Sequence, residues 1–194
     1  MSAPLLKRLL TWPYQAVLAG LYRIGARPWH VTVAALVLTI GVGVLLVRGD
    51  FLAAGLLLIP AGAADIFDGS LARLRGEVSR LGGFLDSVLD RVADMIVFGG
   101  LWWALSGQGE TGMAALALVG FCVSTGVSFV RAAGEARGVT LGEGLFQRLE
   151  RSVALMVGLI VPGTLPVVLA LLAALGTVTL IQRIWTGARR LATA

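Results

Sequence analysis

The chain has 194 residues, of which 57% are hydrophobic and only 14% charged, with a net charge of +5 and one cysteine. A soluble domain carries about 25% charged residues, and the mean hydropathy here is +0.88. These values exclude an ordinary water-soluble globule, and the lone Cys122 excludes both a disulfide framework and a cysteine-ligated metal site.

The apolar residues fall into blocks of the length a bilayer requires, so the chain reads as an all-α polytopic membrane protein. Residues 3 to 24 are too interrupted to span. There Leu5, Leu6, Leu9, Leu10, Tyr14, Val17, Leu18 and Leu21 recur at helical spacing, with Lys7, Arg8 and Arg23 between them. That pattern predicts a helix lying in the membrane interface, with Trp12 and Tyr22 at headgroup depth. No small-residue cleavage boundary follows this basic segment, so no cleavable signal peptide is expected. The expected organisation is an interfacial amphipathic helix over residues 1–27 and one six-helix transmembrane domain over 28–194.

Six apolar helices are expected after it: Val31–Val47, Phe51–Ala72, Leu81–Leu105, Met113–Arg131, Arg151–Val161 and Leu165–Ile184. Arg48-Gly49-Asp50, residues 75–80, 106–112 and 134–147, and Pro162-Gly163-Thr164 separate them. The fifth is short for a bilayer and is expected to begin earlier, near Phe146-Gln147-Arg148. With both termini and the second and fourth loops on one side, fifteen of the sixteen basic residues share that side, and only Arg48 lies opposite. This is the positive-inside pattern. It places the termini in the cytoplasm, and it explains the basic excess without nucleic acid.

Four carboxylates interrupt the apolar sequence, Asp65 and Asp68 on the second span and Asp86 and Asp90 on the third. An aspartate at the centre of a membrane helix costs about 2.5–3.5 kcal/mol on insertion scales. Bound divalent cations are the simplest compensation for four. At 100° per residue, Asp65, Asp68, Gly69, Ala72 and Arg73 share an arc of about 140°. Asp86 and Asp90 are one turn apart, with Gly82 a turn before them. Two antiparallel helices can therefore aim all four carboxylates into one cavity at the cytoplasmic end. Hard oxygen ligands suit Mg²⁺, Mn²⁺ or Ca²⁺, and four aspartates suffice for two ions. Gly69, Ala72 and Gly82 serve either close helix packing or room for a flat ligand. Arg73 reads as a phosphate clamp or as a snorkelling surface residue, and Asp94 as a structural partner for an arginine. An ion path through the membrane is the competing reading. Against it, the carboxylates sit at one end of the bundle with no acidic set toward the other.

The full pattern, D-x2-D-G-x2-A-R-x8-G-x3-D-x3-D from Asp65 to Asp90, resembles the signature of the CDP-alcohol phosphatidyltransferase family and is complete. The resemblance implies an enzyme that moves a phosphatidyl group from a CDP-lipid to a hydroxyl and releases CMP. It implies that Asp65, Asp68, Asp86 and Asp90 hold Mg²⁺ or Mn²⁺, and that Asp90 also takes the acceptor's proton. It further implies that Gly69, Ala72, Arg73, Ser79 and Gly82, with Asp65 and Asp68, line the CDP-lipid site, and that the protein is a homodimer. Family members attack a diphosphate, whose charge divalent ions neutralise.

For the acceptor, Arg131, Arg148, Arg151 and Arg183 fall at motif depth on the same side. Each alone reads as a snorkelling anchor; together they suit an anionic acceptor, because guanidinium forks bind phosphate at two points. The stretch Phe84 to Arg91, with Ser128-Phe129-Val130-Arg131 and Glu150-Arg151, resembles the prokaryotic inositol-phosphate branch. The glycerol-phosphate branch usually carries proline after the third aspartate, where this chain has Ser87. The expected substrates are therefore CDP-diacylglycerol and inositol 1-phosphate, with glycerol 3-phosphate as the alternative acceptor. Arg27 to Thr32 resembles the family's proline-containing entry segment, with His30 expected at the interface.

Overall fold

A computed structural model describes residues 14–141 and 148–192, apart from the side chain of Arg148. The expected helical turns over residues 3–13, Trp12 among them, lie outside the described residues, as do Phe146 and Gln147.

Among the described residues the regular structure is all helix: α1 (residues 14–23), α2 (Pro28–Val47), α3 (Phe51–Arg75), α4 (Arg80–Gly107), α5 (Thr111–Glu135), α6 (Arg148–Ile160) and α7 (Leu165–Ala192). Local chemistry sets the ends. Pro28 opens α2 at its first turn, where a missing N–H costs nothing. Asp50 caps α3 by accepting from Ala53 N at 3.1 Å, and Gly76 ends it in the left-handed conformation at φ 68°. Ser79 caps α4 by accepting from Gly82 N at 3.0 Å. Helix α7 continues past the expected end at Ile184, since no proline follows and Gly187 is buried within it beside Leu141. Arg190 Nη1 ties its last turns to Thr140 O at 2.6 Å.

Among the described residues four helices, α2, α3, α5 and α7, are long and apolar enough to cross a membrane, where the sequence predicted six. The other two fall short for different reasons. Helix α4 has 28 residues, but Asp86, Asp90, Arg91 and Asp94 fall among its first fifteen. Helix α6 has 13 residues, about 20 Å of helix against a hydrocarbon core of about 30 Å. Only 28% to 39% of each apolar window is buried within the chain. The exposed stripe Val33, Val37, Ile40, Val44 and Val47 on α2 is the kind of surface lipid covers.

The packed pairs are α2–α3, α2–α4, α4–α5, α5–α7, α6–α7 and α3–α6, which close into a ring of six helices. Among the described residues, α3 and α4 do not pack along each other; α2 touches both and holds them apart. Glycines let α2 and α4 approach, since a Cβ on Gly43 would lie 2.5 Å from Ile96 Cγ2. The buried cluster joins Val42 and Leu46, Ala54 and Leu58, Leu101 and Leu105, Ala114 and Ala117, Leu155 and Leu159, and Leu169 and Leu172. Each helix contributes from the half away from the carboxylates. The core thus seals one end of the ring and leaves the motif end open.

Helix α1 lies against the end of α3 by a half-buried stripe of Tyr14, Leu18 and Leu21. Tyr14 stacks on Phe67 with centroids 5.2 Å apart, and Arg75 lies 4.7 Å over the Tyr22 ring while donating to Tyr22 O.

Candidate active site

The gap between α3 and α4 is a cavity of about 580 Å³. Asp65 and Ile66 of α3, Asp86 and Asp94 of α4, Thr32 of α2 and Arg151 of α6 are among its walls. Leu36, Leu58, Leu89, Leu155 and Met156 make its inner part apolar.

Carboxylate oxygens of Asp65, Asp86 and Asp90 lie within 4.8 Å of one another. Unit charges this close repel by about 3 kcal/mol per pair at an effective dielectric constant of about 20. Three hard oxygen donors converging from two helices fit a magnesium-like or manganese-like dication, and suit zinc or copper poorly. Asp68 is placed differently. It is buried at 6% exposure, accepts from Thr32 Oγ1 at 2.8 Å, and interacts electrostatically with Asp65 and Asp86.

The motif's two glycines do not pack against a neighbouring helix. A Cβ on Gly69 would meet only Arg73 Nη1, at 3.6 Å, and one on Gly82 only the Ser79 hydroxyl, at 3.1 Å. Of the two sequence readings, open space beside the carboxylates is the one the geometry supports. Arg73 folds back along α3 over Gly69, one turn from Asp65, and donates to Ser70 Oγ at 3.0 Å.

One turn deeper, Arg91 approaches Asp94 Oδ2 at 3.3 Å and Asp90 Oδ2 at 4.0 Å. It also donates to Ser128 Oγ at 2.6 Å, and Ser124 Oγ donates to Asp94 at 2.8 Å. Asp94 is thus the arginine partner the sequence predicted, within a network that ties α4 to α5.

The four arginines are not gathered equally. Arg151 is buried and lines the cavity with Asp65 and Asp86. Arg183 is also buried and donates to Val127 O at 3.1 Å. Arg131 lies close enough to Arg183 to interact electrostatically and pairs with Glu135 at 2.8 Å. These two stand at the α5–α7 seam, and the side chain of Arg148 is outside the described residues. His30 is exposed, and its Nδ1 accepts from Arg27 N at 3.1 Å to close the start of α2.

Three residues without a sequence signature bond to the motif or to its partners: Thr32 to Asp68, Ser70 to Arg73, and Tyr14 to Ser70. Ser70 was accessible to sequence reasoning by its spacing, lying three residues before Arg73 on the same helix face. Thr32 and Tyr14 act across helices, which no periodicity reveals.

The family model described as CDP-alcohol phosphatidyltransferase matches residues 26–186. The chain belongs to that family. It is therefore a transferase. A phosphatidylinositol phosphate synthase of Streptomyces avermitilis is 39% identical over 193 residues, covering 91% of this chain and 78% of the relative. An archaetidylinositol phosphate synthase of Pyrococcus horikoshii is 31% identical, over 92% of this chain and 93% of its own. The structure of Mycobacterium tuberculosis phosphatidylinositol phosphate synthase with CDP-DAG bound superposes with a TM-score of 0.81 at 28% identity, covering 89% of this chain and 92% of that one. A second structure of that protein is a complex with manganese and citrate, also with a TM-score of 0.81 and covering 87% of its chain. The resemblance to the prokaryotic inositol-phosphate branch thus holds along nearly the whole chain.

Proposed function

We propose that this protein transfers the phosphatidyl group of CDP-diacylglycerol to a hydroxyl of inositol 1-phosphate, giving phosphatidylinositol phosphate and CMP. The observation that carries the proposal is the convergence of Asp65, Asp86 and Asp90 beside a cavity that Arg151 also lines. The relatives and the solved neighbour named above support the choice of substrates.

Asp65, Asp86 and Asp90 would hold a divalent cation, Mg²⁺ or Mn²⁺, with Asp68 beside them as a ligand that a second ion would use. When bound, the metal neutralises charge on the diphosphate and on the departing CMP. Arg73 clamps the diphosphate, and Gly69, Ala72, Ser79 and Gly82 form the floor on which the CDP group lies. The acceptor's hydroxyl oxygen bonds to the phosphatidyl phosphorus, and the bond from that phosphorus to the bridging oxygen breaks. Asp90 takes the hydroxyl proton, and CMP leaves with the bonding pair. Arg91 keeps Asp90 in place through its anchor on Ser128. Arg151, Arg183 and Arg131, with Arg148 at the start of α6, bind the acceptor's phosphate.

Helices α2–α7 make up the membrane domain, with α1 in the cytoplasmic interface and the termini and site in the cytoplasm. The one-sided distribution of basic residues supports this orientation. Residues 1–27 form the interfacial part and 28–194 the catalytic domain. The lipid donor needs its tails in the bilayer and its head in water, and a site at the open end of the ring meets both needs. Family resemblance supports a homodimer in the cell membrane.

The test is an acceptor panel. Purified protein with CDP-diacylglycerol and Mg²⁺ is offered inositol 1-phosphate, glycerol 3-phosphate, free inositol or serine. CMP release with inositol 1-phosphate alone is expected. Release with glycerol 3-phosphate alone would replace the acceptor and keep the reaction.

A further inference from the structure

An exposed arginine ordinarily samples many rotamers, and holding it costs about 2 kcal/mol of side-chain entropy. Arg73 is exposed, yet one end of its guanidinium is tied down. Nη1 lies over Gly69, where a Cβ would be 3.6 Å away, and Nη2 donates to Ser70 Oγ at 3.0 Å. The fixing point is itself fixed. Ser70 is buried at 7% exposure, and a serine hydroxyl offers one hydrogen and two lone pairs. The hydrogen goes to Ile66 O at 3.0 Å. The lone pairs receive Arg73 Nη2 and the Tyr14 hydroxyl, the latter at 2.6 Å. Tyr14 must be the donor in that bond, since the only hydrogen on Ser70 is already used.

Tyr14 belongs to α1, outside the carboxylate motif. Its ring is stacked on Phe67 at 17° between planes, and Tyr22 holds the other end of α1 on Arg75. The Tyr14 hydroxyl is therefore delivered to Ser70 by a docked helix.

We propose that Tyr14 and Ser70 are positioning residues for Arg73, so that α1 forms the back wall of the CDP-lipid diphosphate site and is more than a membrane anchor. The inference rests on the reading of Arg73 as a diphosphate ligand. Three partners reach Ser70 Oγ from three directions and set its rotamer. Without the Tyr14 hydroxyl, the vacated lone pair is open to a second nitrogen of Arg73. The guanidinium then settles onto Ser70 and away from the carboxylates.

The experiment uses the purified full chain in detergent micelles, with Mg²⁺ and inositol 1-phosphate and a varied mole fraction of CDP-diacylglycerol. Tyr14→Phe keeps the stack on Phe67 and deletes only the hydroxyl. It should raise the KM for CDP-diacylglycerol about three- to tenfold, the range of one hydrogen bond. The KM for inositol 1-phosphate and the melting temperature should not move. Ser70→Ala should behave alike. Tyr14→Phe added to Arg73→Ala should do nothing further, because residues acting through one group are not additive. Wild-type kinetics for Tyr14→Phe and Ser70→Ala, with Arg73→Ala still impaired for CDP-diacylglycerol, would overturn the inference and leave the Arg73 reading intact. An unimpaired Arg73→Ala would overturn both. Equal rises in both KM values with a lower melting temperature would overturn it by making Tyr14 merely a support of the fold.

Discussion

Thr32 Oγ1 donates a 2.8 Å hydrogen bond to Asp68 Oδ2, fastening α2 to α3 at the motif carboxylate that stands beside the three-oxygen cluster. The same hydroxyl lies 3.1 Å from Pro28 O one turn earlier, so its position is set by the start of α2. Asp68 is buried, and a buried acceptor stripped of its donor costs about 1–3 kcal/mol.

Thr32→Val, which keeps the shape and removes the donor, should therefore lower the melting temperature in detergent. It should also raise the Mg²⁺ concentration needed for half-maximal activity, because Asp68 is freed to turn. Thr32→Ser should restore both. A Thr32→Val protein with unchanged Mg²⁺ dependence would show that the Thr32 bond does not set Asp68 for holding cations.

Removing any of Asp65, Asp68 or Asp86 by alanine should abolish turnover, since each loss opens the ligand set. EDTA should inactivate the wild-type protein, and Mg²⁺ or Mn²⁺ should revive it. Asp90→Asn should lose at least about a hundredfold in rate, the lower end of general-base help, while CDP-lipid binding survives better than turnover. Normal turnover by Asp90→Asn would remove the base assignment, and full activity in metal-free buffer would remove the metal.

The helices and the carboxylate face were legible in the sequence because both depend on local rules. Gly76 and Ser79 punctuate the chain, and the helical period puts Asp86 and Asp90 on one face, as found. What stayed hidden is long-range. Nothing local says that α3 and α4, neighbours in sequence, are held apart by α2 to leave a cavity. The same applies to Tyr14, which served the sequence reading only as one residue of an apolar stripe, while its hydroxyl finds Ser70 across two helices. The expectation of six apolar spans treated α4 as uniform, although its carboxylates fall among its first fifteen residues and its buried residues, Val97 to Leu105, beyond them.

Stability should depend on glycines outside the motif. A Cβ on Gly55 would lie 2.7 Å from Ile160 Cγ1 and 2.9 Å from Leu159 Cβ, with the backbone N of Ile160 at 3.3 Å. Backbone cannot swing aside as a side chain can. Gly55→Ala should force α3 and α6 apart and destabilise the protein by about 1–3 kcal/mol, read as a lower melting temperature in detergent. Gly83→Ala in α4 meets nothing within 4 Å and should leave that temperature unchanged or higher, as alanine suits a helix better by roughly 0.5–1 kcal/mol. The reverse order would mean that the α3–α6 seam does not limit stability.

The acceptor arginines carry the most exposed prediction, because the structure does not treat them as equals. Arg151 lies in the wall of the carboxylate cavity, whereas Arg183 and Arg131 sit together at the α5–α7 seam. Arg151→Ala should raise the KM for inositol 1-phosphate by about tenfold or more, since a hydrogen bond to a charged group contributes about 1.5–3 kcal/mol. The KM for CDP-diacylglycerol should change much less, because its diphosphate is held elsewhere. Arg183→Ala should raise the acceptor KM and also lower the melting temperature, as it deletes the bond to Val127 O that joins α7 to α5. Arg131→Ala should raise the acceptor KM without that loss of stability, its pair with Glu135 being half-exposed and worth about 0.3–0.5 kcal/mol. Lysine at any of the three should rescue in part, because an ammonium cannot make the two-point fork. Equal losses for both substrates would assign these arginines to the fold or the membrane seat. A pocket that lost glycerol 3-phosphate turnover while inositol 1-phosphate was inert throughout would be the right pocket with the wrong ligand.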